Sequence, residues 1–294
     1  PWFAMLVGLL VGIAIGAVNG FFIAYKEVPA FIATLASMLI FRGLTLVLLA
    51  GRTLAPYPET YQAISTGFLP DFLPLGGMKF SAVIIGALIC PFLVWSQRQM
   101  IRFGAEVPSA ASFMVKLVLS CVAIVFFCFW LGRYEGIPSV LILLAILFLI
   151  YYFFTTKTVM GRQLYALGGN EKAAKLSGIN VFATTTKAYL ISAFCAAIVG
   201  LILAGQAGMG NMEAGNSYEM YGVAAGVIGG ISPLGGSGLL LGAFAGAGVW
   251  QTLENGLGII GAPVGIQRIV IGVIVTGAVL IDVVFRQGTK KVKK

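Results

Sequence analysis

The sequence predicts an all-α fold, a polytopic bundle of transmembrane helices with short broken helices, and three observations carry that prediction. Of the 294 residues, 59% are hydrophobic and 10% are charged, and the mean hydropathy is +0.99, so too little polar surface exists to cover a water-soluble globule. Apolar runs of about 18 residues recur along the chain, each long enough to cross the hydrocarbon as a helix. The runs are continuous rather than alternating with period two, which disfavours a β-barrel.

Nine membrane crossings are predicted, and the seventh is short. They are 2–25, 31–50, 80–97, 114–132, 138–154, 188–204, 218–232, 239–255 and 265–285. Glycine and proline are expected to break the second crossing at 41–43 and the seventh, with its turn, at 229–238. Because broken helices persist in a bilayer only where the freed backbone faces protein or a watery cavity, both places are candidates for a solute pathway.

The chain 1–294 is expected to form a single transmembrane domain. It begins at Pro1, directly at an apolar helix without a basic leader, so we expect it to be a fragment that lacks helices at its N-terminus. Four cysteines fall inside predicted crossings, where a thiol packs as a small apolar group, and their spacing matches no metal site or disulfide framework. These are Cys90, Cys121, Cys128 and Cys195.

Basic residues assign the loops to two sides of the membrane. One set of loops holds 13 of the 19 Lys and Arg residues and consists of 26–30, 98–113, 155–187, 233–238 and 286–294. The other set holds three and consists of 51–79, 133–137, 205–217 and 256–264. Since basic loops favour the cytoplasm, the first set and the C-terminus are predicted to be cytoplasmic. The net charge of +9 therefore follows from topology, and nucleic-acid binding is not expected.

Glycines recur every four residues in two crossings, which places them on one helix face. They are Gly8, Gly12, Gly16 and Gly20 in the first crossing and Gly238, Gly242 and Gly246 in the eighth. Such a stripe lets two helix backbones approach closely in lipid. Tight packing is the favoured interpretation, and a sliding helix pair in a pathway is the alternative.

The residue inventory limits the mechanism. The chain contains no His, and its acids are dispersed, so neither a hydrolytic site, a metal site nor a proton relay can be assembled. GSGLLLG at 236–242 lacks the Lys-Ser/Thr of a P-loop. Arg42 lies near the centre of its crossing and should face the bundle interior with an acceptor partner; structural bracing and a pathway role both remain open for it.

Several motifs resemble one family in the same order along nearly the whole chain. GRQLYALGGNEKAAKLSGINV (161–181) is similar to the coupling segment of the permeases of bacterial ABC sugar importers. The stretches 28–43, 226–236 and 280–286 match the same family. Within it, 219–230, 266–272 and the additional stretch from about 98 to 137 are most similar to xylose-type and multiple-sugar permeases. Many members have Asp where Tyr221 stands, so a role for that acid does not carry over.

This resemblance implies a non-enzymatic, cofactor-free permease subunit of an ATP-driven importer of xylose or a related monosaccharide in the bacterial inner membrane. Its implied partners are a cytoplasmic ABC ATPase, a periplasmic sugar-binding protein, a second permease copy and membrane lipid. The coupling loop is 155–187, and its implied contact residues are Gly161, Arg162, Gly168, Gly169, Asn170, Glu171, Ala173, Ala174 and Gly178. The small residues would permit close docking, Gly178 can end a helix with a left-handed cap, and Arg162 can pair with an acid of the ATPase.

A path for a neutral sugar needs polar and aromatic groups rather than charge compensation. The candidate liners are Asn19, Thr34, Ser37, Phe41, Arg42 and Thr45. Three alternatives remain open at this stage: an ion-coupled or passive small-solute carrier that uses 155–187 for regulation, a membrane scaffold without flux, and an exporter.

Overall fold

The computed structural model describes residues 1–69, 74–75, 78–79, 110–133, 135–233, 235–263, 265–270, 272–277 and 280. The predicted crossing at 80–97, the basic tail at 286–294 and most of the 280–286 motif lie outside the described residues. The described helices are α1 Trp2–Tyr25, α2 Ala30–Leu49, α3 Glu59–Thr66, α4 Ala110–Arg133, α5 Ser139–Lys157, α6 Val159–Gly169, α7 Glu171–Leu176, α8 Val181–Ala207, α9 Tyr218–Ile228 and α10 Leu240–Ile259. Helical backbone recurs at 265–270 and 272–277.

The architecture confirms an all-α polytopic membrane bundle. Within the described residues, α1, α2, α5 and α8 are long and apolar enough to cross a membrane. Their apolar side chains are largely exposed, as for Phe31 with 76% of its surface accessible, which suits a lipid surrounding. One small antiparallel hairpin accompanies the helices and is formed by β1 Pro74–Leu75 and β2 Met78–Lys79.

The second crossing differs from the prediction, because α2 is continuous from Ala30 to Leu49. The expected break at 41–43 is therefore wrong. A glycine inside an apolar helix does not by itself open the backbone ladder, and a Cβ built on Gly43 would meet no atom within 4 Å. The helix instead ends where Ala50 and Gly51 adopt left-handed backbone angles, with φ of 47° and 77°.

The sixth crossing begins earlier than predicted. Helix α8 starts at Val181 rather than at residue 188, because the Asn180 side chain accepts a hydrogen bond from the Ala183 N–H at 3.0 Å. This is an N-cap, which satisfies a donor that the first turn leaves open. Residues 181–187 of the predicted coupling loop are consequently helical.

The chain forms two compact units, and the smaller comprises residue 1 together with residues 56–146 and 205–208. Its loops are joined by backbone hydrogen bonds of 2.9 Å from Tyr57 N–H to the Gly208 carbonyl and from Leu69 N–H to the Ile137 carbonyl. Tyr61 and Ser65 of α3 are buried, and Ser65 lies against Gly205. Helix α3 is thus held against the end of α8.

The larger unit comprises residues 2–55, 147–204 and 209–294, and the glycine face of α1 packs on α8 within it. A Cβ on Gly12 would lie 2.5 Å from the Ala197 Cβ, and one on Gly20 would lie 3.1 Å from the Thr186 Cα. The contact between the two helices continues at Tyr25, whose ring stacks on Phe182 with centroids 5.5 Å apart. The favoured interpretation of this stripe, tight helix packing, is confirmed.

Helices α9 and α10 pack equally closely. Gly242 lies against Gly229, and Gly246 against the backbone of Ala225 and Gly229. Gly238, which was placed in the same stripe, precedes the helix and has φ of 132°. Trp250 is buried between the two helices, with its ring centroid 5.1 Å from that of Tyr221. The broken seventh crossing is confirmed: α9 ends at Ile228 and α10 begins at Leu240.

Candidate functional site

The segment between α5 and α8, residues 158–180, folds as two short helices rather than as one loop. The side chain of Thr158 accepts a hydrogen bond from the Gly161 N–H at 3.1 Å, which starts α6. Gly161 is buried and faces the carbonyl oxygens of Phe154 and Thr155. A side chain at this position would collide with those oxygens, so the turn from α5 into α6 requires glycine.

Asn170 is the single residue that joins α6 to α7. Its backbone N–H donates to the Ala166 carbonyl at 3.0 Å and ends α6. Its side-chain oxygen accepts from the Ala173 N–H at 3.0 Å and starts α7. Glu171 follows in the first turn of α7, where its negative charge is favourable beside the positive end of the helix dipole.

The predicted left-handed cap at Gly178 is confirmed. Gly178 has φ of 82°, and its N–H donates to the Lys175 carbonyl at 3.1 Å. The Ile179 N–H donates to the Ala174 carbonyl at 3.1 Å, and the two bonds together form a Schellman motif. Helix α7 is therefore fixed at both ends although it has six residues.

Helix α7 buries one side and exposes the rest. Ala174 is 4% exposed, whereas Leu176 at the end of the helix is 90% exposed. Glu171, Lys172 and Lys175 are exposed as well. Leu176 is thus a large apolar side chain that protrudes among charged groups. Sequence reasoning did not single out Leu176, although it is the one large aliphatic residue between Asn170 and Gly178.

A second glycine-rich segment meets the end of α6. Gly168 lies against Gly235 and Gly236, and a Cβ on Gly168 would be 2.6 Å from the Gly236 N. The Tyr165 hydroxyl donates to the Gly238 carbonyl at 2.9 Å. The sequence had assigned 161–178 to coupling and 229–238 to a broken helix with its turn, without predicting that they touch. The paired glycines at 168–169 and 235–236 are the signal that could have suggested it.

These contacts group the loops as the charge count predicted. The 155–187 and 233–238 loops meet through Tyr165 and Gly238. In the other predicted set, the 51–79 and 205–217 loops meet where Leu54 and Gly210 form a backbone bridge. Loop partners within each set therefore agree with alternating sidedness of the crossings.

The candidate path residues lie mainly on α2. Ser37, Phe41 and Arg42 are partly buried, whereas Thr34 and Thr45 are exposed. Both threonines bond to carbonyls of their own helix, those of Ala30 and Phe41. Asn19 is partly buried on α1. The bond from the Thr45 hydroxyl to the Phe41 carbonyl, at 2.8 Å, joins two of the six residues along the helix.

Arg42 has the acceptor partner that was expected of it. Its guanidinium donates to the side-chain oxygen of Asn216 at 2.9 Å. The bond joins the middle of α2 to the segment that precedes α9. Asn216 was not predicted as a partner, because a separation of 174 residues leaves no trace in local pattern.

Metal-ligating residues do not cluster in the part of the chain that the structure describes: it holds no group of three or more His, Cys, Asp or Glu side chains placed to bind a metal ion.

Comparison with known proteins gives one consistent result. A family described as "branched-chain amino acid transport system / permease component" matches residues 1–279. The xylose transport system permease protein XylH of Escherichia coli K12 is 37% identical over 282 residues, which cover 95% of this chain and 70% of that protein. XylH of Haemophilus influenzae is 36% identical, covering 95% of this chain and 73% of that protein. The ribose import permease protein RbsC of Escherichia coli K12 is 31% identical, covering 95% and 68%. No solved structure matches the chain.

Proposed function

The chain belongs to this family of transport-system permease components, and on that premise we propose that it is the membrane subunit of an ATP-driven ABC importer for xylose or a related monosaccharide. The observation that carries the proposal is the similarity to xylose permeases over 95% of the chain. The subunit itself is not an enzyme: hydrolysis takes place on a separate cytoplasmic ATPase, and a periplasmic binding protein delivers the sugar. The site of action is the bacterial inner membrane.

Helix α7 is the proposed contact with the ATPase. Its two caps hold a short exposed helix in a defined position, so little conformational entropy remains to be lost on docking. Leu176 supplies an apolar anchor, and Arg162, exposed on α6, supplies a charge for an acid of the partner. Closure of the ATPase dimer upon ATP binding would displace α7 and open the proposed sugar path toward the outside of the membrane.

Reversal and addition of charge on α7 test this assignment. Glu171→Arg combined with Gly178→Glu removes the favourable N-terminal charge and the left-handed cap, so ATPase co-purification and ATP-dependent uptake should both be lost. Glu213→Arg is the matched control, because it reverses an exposed acid on the other set of loops and should leave both unchanged. Intact uptake and intact ATPase association in the double variant would contradict the coupling role of α7.

The proposed path for the sugar involves α2. Thr34, Ser37, Phe41 and Thr45 lie within about 40° of a common direction at 100° per residue, so they share one helix face. Arg42 lies beside that face with its bond to Asn216, and Asn19 is the polar residue of α1. Hydroxyl, amide and aromatic groups match a neutral polyhydroxylated solute, which requires hydrogen bonds and stacking but no counter-charge.

Two copies of the chain are proposed to enclose the path. The support is that α2 has no buried residue in the single chain, although it carries five of the six candidate liners. Reconstitution with the ATPase and the binding protein, followed by [14C]-xylose uptake with and without ATP, tests the whole proposal. Uptake without ATP would instead indicate a carrier, and absence of flux under all conditions would indicate a scaffold.

A further inference from the structure

The contact between α6 and the turn after α9 is built from backbone alone, and it is called the glycine contact below: Gly168, Gly169, Gly235 and Gly236. A Cβ on Gly235 would lie 2.9 Å from the Gly168 carbonyl oxygen, and one on Gly236 would lie 2.5 Å from the Gly169 N. Both positions also have positive φ, 86° and 72°. Glycine is required there twice over, by space and by backbone conformation.

One side chain closes the glycine contact. Tyr165 precedes Gly168 on α6, and its hydroxyl reaches the Gly238 carbonyl at 2.9 Å. Gly238 itself lies close to Ile231, where an added Cβ would be 2.9 Å from the Ile231 Cα. Tyr165 therefore holds α6 to the last residues before α10.

Gly235 and Gly236 belong to the turn between α9 and α10, which contains backbone hydrogen bonds of its own. The Ser232 N–H donates to the Ser237 carbonyl at 3.1 Å, and the Gly235 N–H donates to the Ser232 carbonyl at 3.0 Å. Beyond the turn, α9 and α10 touch through Gly229 and Gly242. A displacement at the turn would thus be passed to α9 and α10 together, because the two helices are in backbone contact where Gly229 meets Gly242.

On the other side of the glycine contact, α6 is joined directly to α7. Asn170 caps the end of α6 and the start of α7 with the same residue, so α7 and α6 are connected without an intervening loop. A continuous line of contacts therefore runs from α7 through Asn170, α6 and the glycine contact to the α9–α10 pair.

We infer that the glycine contact, held by Tyr165, transmits the movement of α7 to the broken α9–α10 pair, and that Tyr165 is a positioning residue for coupling ATP hydrolysis to transport. The inference rests on the proposed function. It assigns to α9 and α10 the change of shape that opens the path, and to the glycine contact the step between ATPase docking and that change. Binding of the ATPase itself depends on α7 and not on Tyr165.

The test separates docking, hydrolysis and transport. Wild-type chain and variants are reconstituted with the ATPase and the binding protein in proteoliposomes, and the xylose imported per ATP hydrolysed is measured. Tyr165→Phe removes one hydrogen bond without adding atoms, and we expect the ratio to fall roughly threefold, in line with one net hydrogen bond. Gly236→Ala separates the backbones, and a fall of about tenfold or more is expected from overpacking.

Two controls keep the outcome interpretable. Gly200→Ala places a methyl group on α8, outside the α9–α10 pair, where nothing lies within 4 Å of the added Cβ, and it should preserve the ratio. ATPase co-purification should be unchanged in Tyr165→Phe, since a merely structural defect would lower the amount of complex and both rates together. If Gly236→Ala does not fold, Tyr165→Phe carries the test alone.

The possible failures are distinguishable. If wild-type chain shows no ATP-dependent uptake, the proposed function is wrong and the inference falls with it. If wild-type chain transports normally and Tyr165→Phe retains the wild-type ratio of xylose to ATP, the inference alone is overturned.

Discussion

Gly178 combines open space with a left-handed backbone conformation, so the cost of that conformation can be measured without clashes with other segments of the chain. A Cβ built there would meet no atom within 4 Å, and φ is 82°. Gly178→Val should therefore destabilise the end of α7 by about 1–2 kcal/mol through the left-handed conformation alone. The end of the helix should fray as a result, and ATPase binding should weaken about tenfold. Gly178→Asn should retain most of the affinity, because Asn tolerates this region. Titration of the detergent-solubilised permease with the ATPase measures both.

The control for Gly178 is Gly43→Ala. Gly43 also has open space but lies inside α2, where Ala is favoured over Gly by about 1 kcal/mol. ATPase affinity should remain at the wild-type value and thermal stability should not fall. Equal affinities for Gly178→Val, Gly178→Asn and wild type would show that the cap is not needed for docking.

The Arg42–Asn216 bond makes a prediction of non-additivity. Removing either partner by Arg42→Met or Asn216→Ala loses the same 2.9 Å hydrogen bond, so the double variant should be no worse than the more damaging single variant. A coupling free energy of about 0.6–1.5 kcal/mol is expected for a polar pair between membrane helices and loops. Unfolding in mixed detergent, monitored for all four proteins, supplies the cycle. Strictly additive losses of stability would show that the Arg42–Asn216 hydrogen bond does not stabilise the protein in detergent.

The α1–α8 pair offers a steric test of helix packing. Gly12→Ala would place a methyl carbon 2.5 Å from the Ala197 Cβ, and we expect a loss of about 1–3 kcal/mol from overpacking. Ala197→Gly in the same chain removes the opposing methyl and should restore most of that loss. Gly8→Ala serves as the matched control, since its nearest neighbour is the movable Leu201 Cδ2 at 3.3 Å. Midpoints of thermal unfolding in detergent should rank Gly12→Ala lowest, and absence of rescue by Ala197→Gly would refute this packing.

Elements were predictable from the sequence where a single physical cause fixes them. The apolar runs of α1 and α2 match their predicted limits within one residue, since hydrocarbon thickness sets the length of a crossing. The break at 41–43 was predicted wrongly, because glycine is tolerated in membrane helices whose ladder stays intact. The early start of α8 depends on a cap at Asn180, whereas the prediction followed hydropathy and therefore missed polar Thr184–Thr186 as helix.

The candidate site was predictable to a smaller extent. Helix α7 and its Gly178 cap follow from local pattern, because capping residues act within four positions of the helix end. The glycine contact and the Arg42–Asn216 bond join residues far apart in sequence. Periodicity and composition carry no information on which distant segments meet, so the contacts of Tyr165 and Asn216 could be recognised only from the fold.

For the molecule as a whole, charge and contacts give independent statements about sidedness. The excess of Lys and Arg assigns each loop to a side, whereas contacts report which loops share a side without saying which side it is. The meeting of Tyr165 with Gly238 and of Leu54 with Gly210 agrees with the grouping by charge. Which of the two groups of loops faces the cytoplasm can be measured directly.

Single cysteines in a background without native cysteines measure that orientation. Lys172→Cys and Leu239→Cys report on one group of loops, and Arg52→Cys and Glu213→Cys report on the other; all four positions are exposed. A membrane-impermeant maleimide should label the first pair in inverted vesicles and the second pair in right-side-out vesicles, because the basic loops remain in the cytoplasm. If each pair is instead labelled from the side opposite to the expected one, the orientation is the reverse of the prediction. Helix α7 would then be out of reach of any cytoplasmic ATPase. Labelling of positions 172 and 239 from different sides would instead contradict the glycine contact, since a backbone contact cannot form across a bilayer.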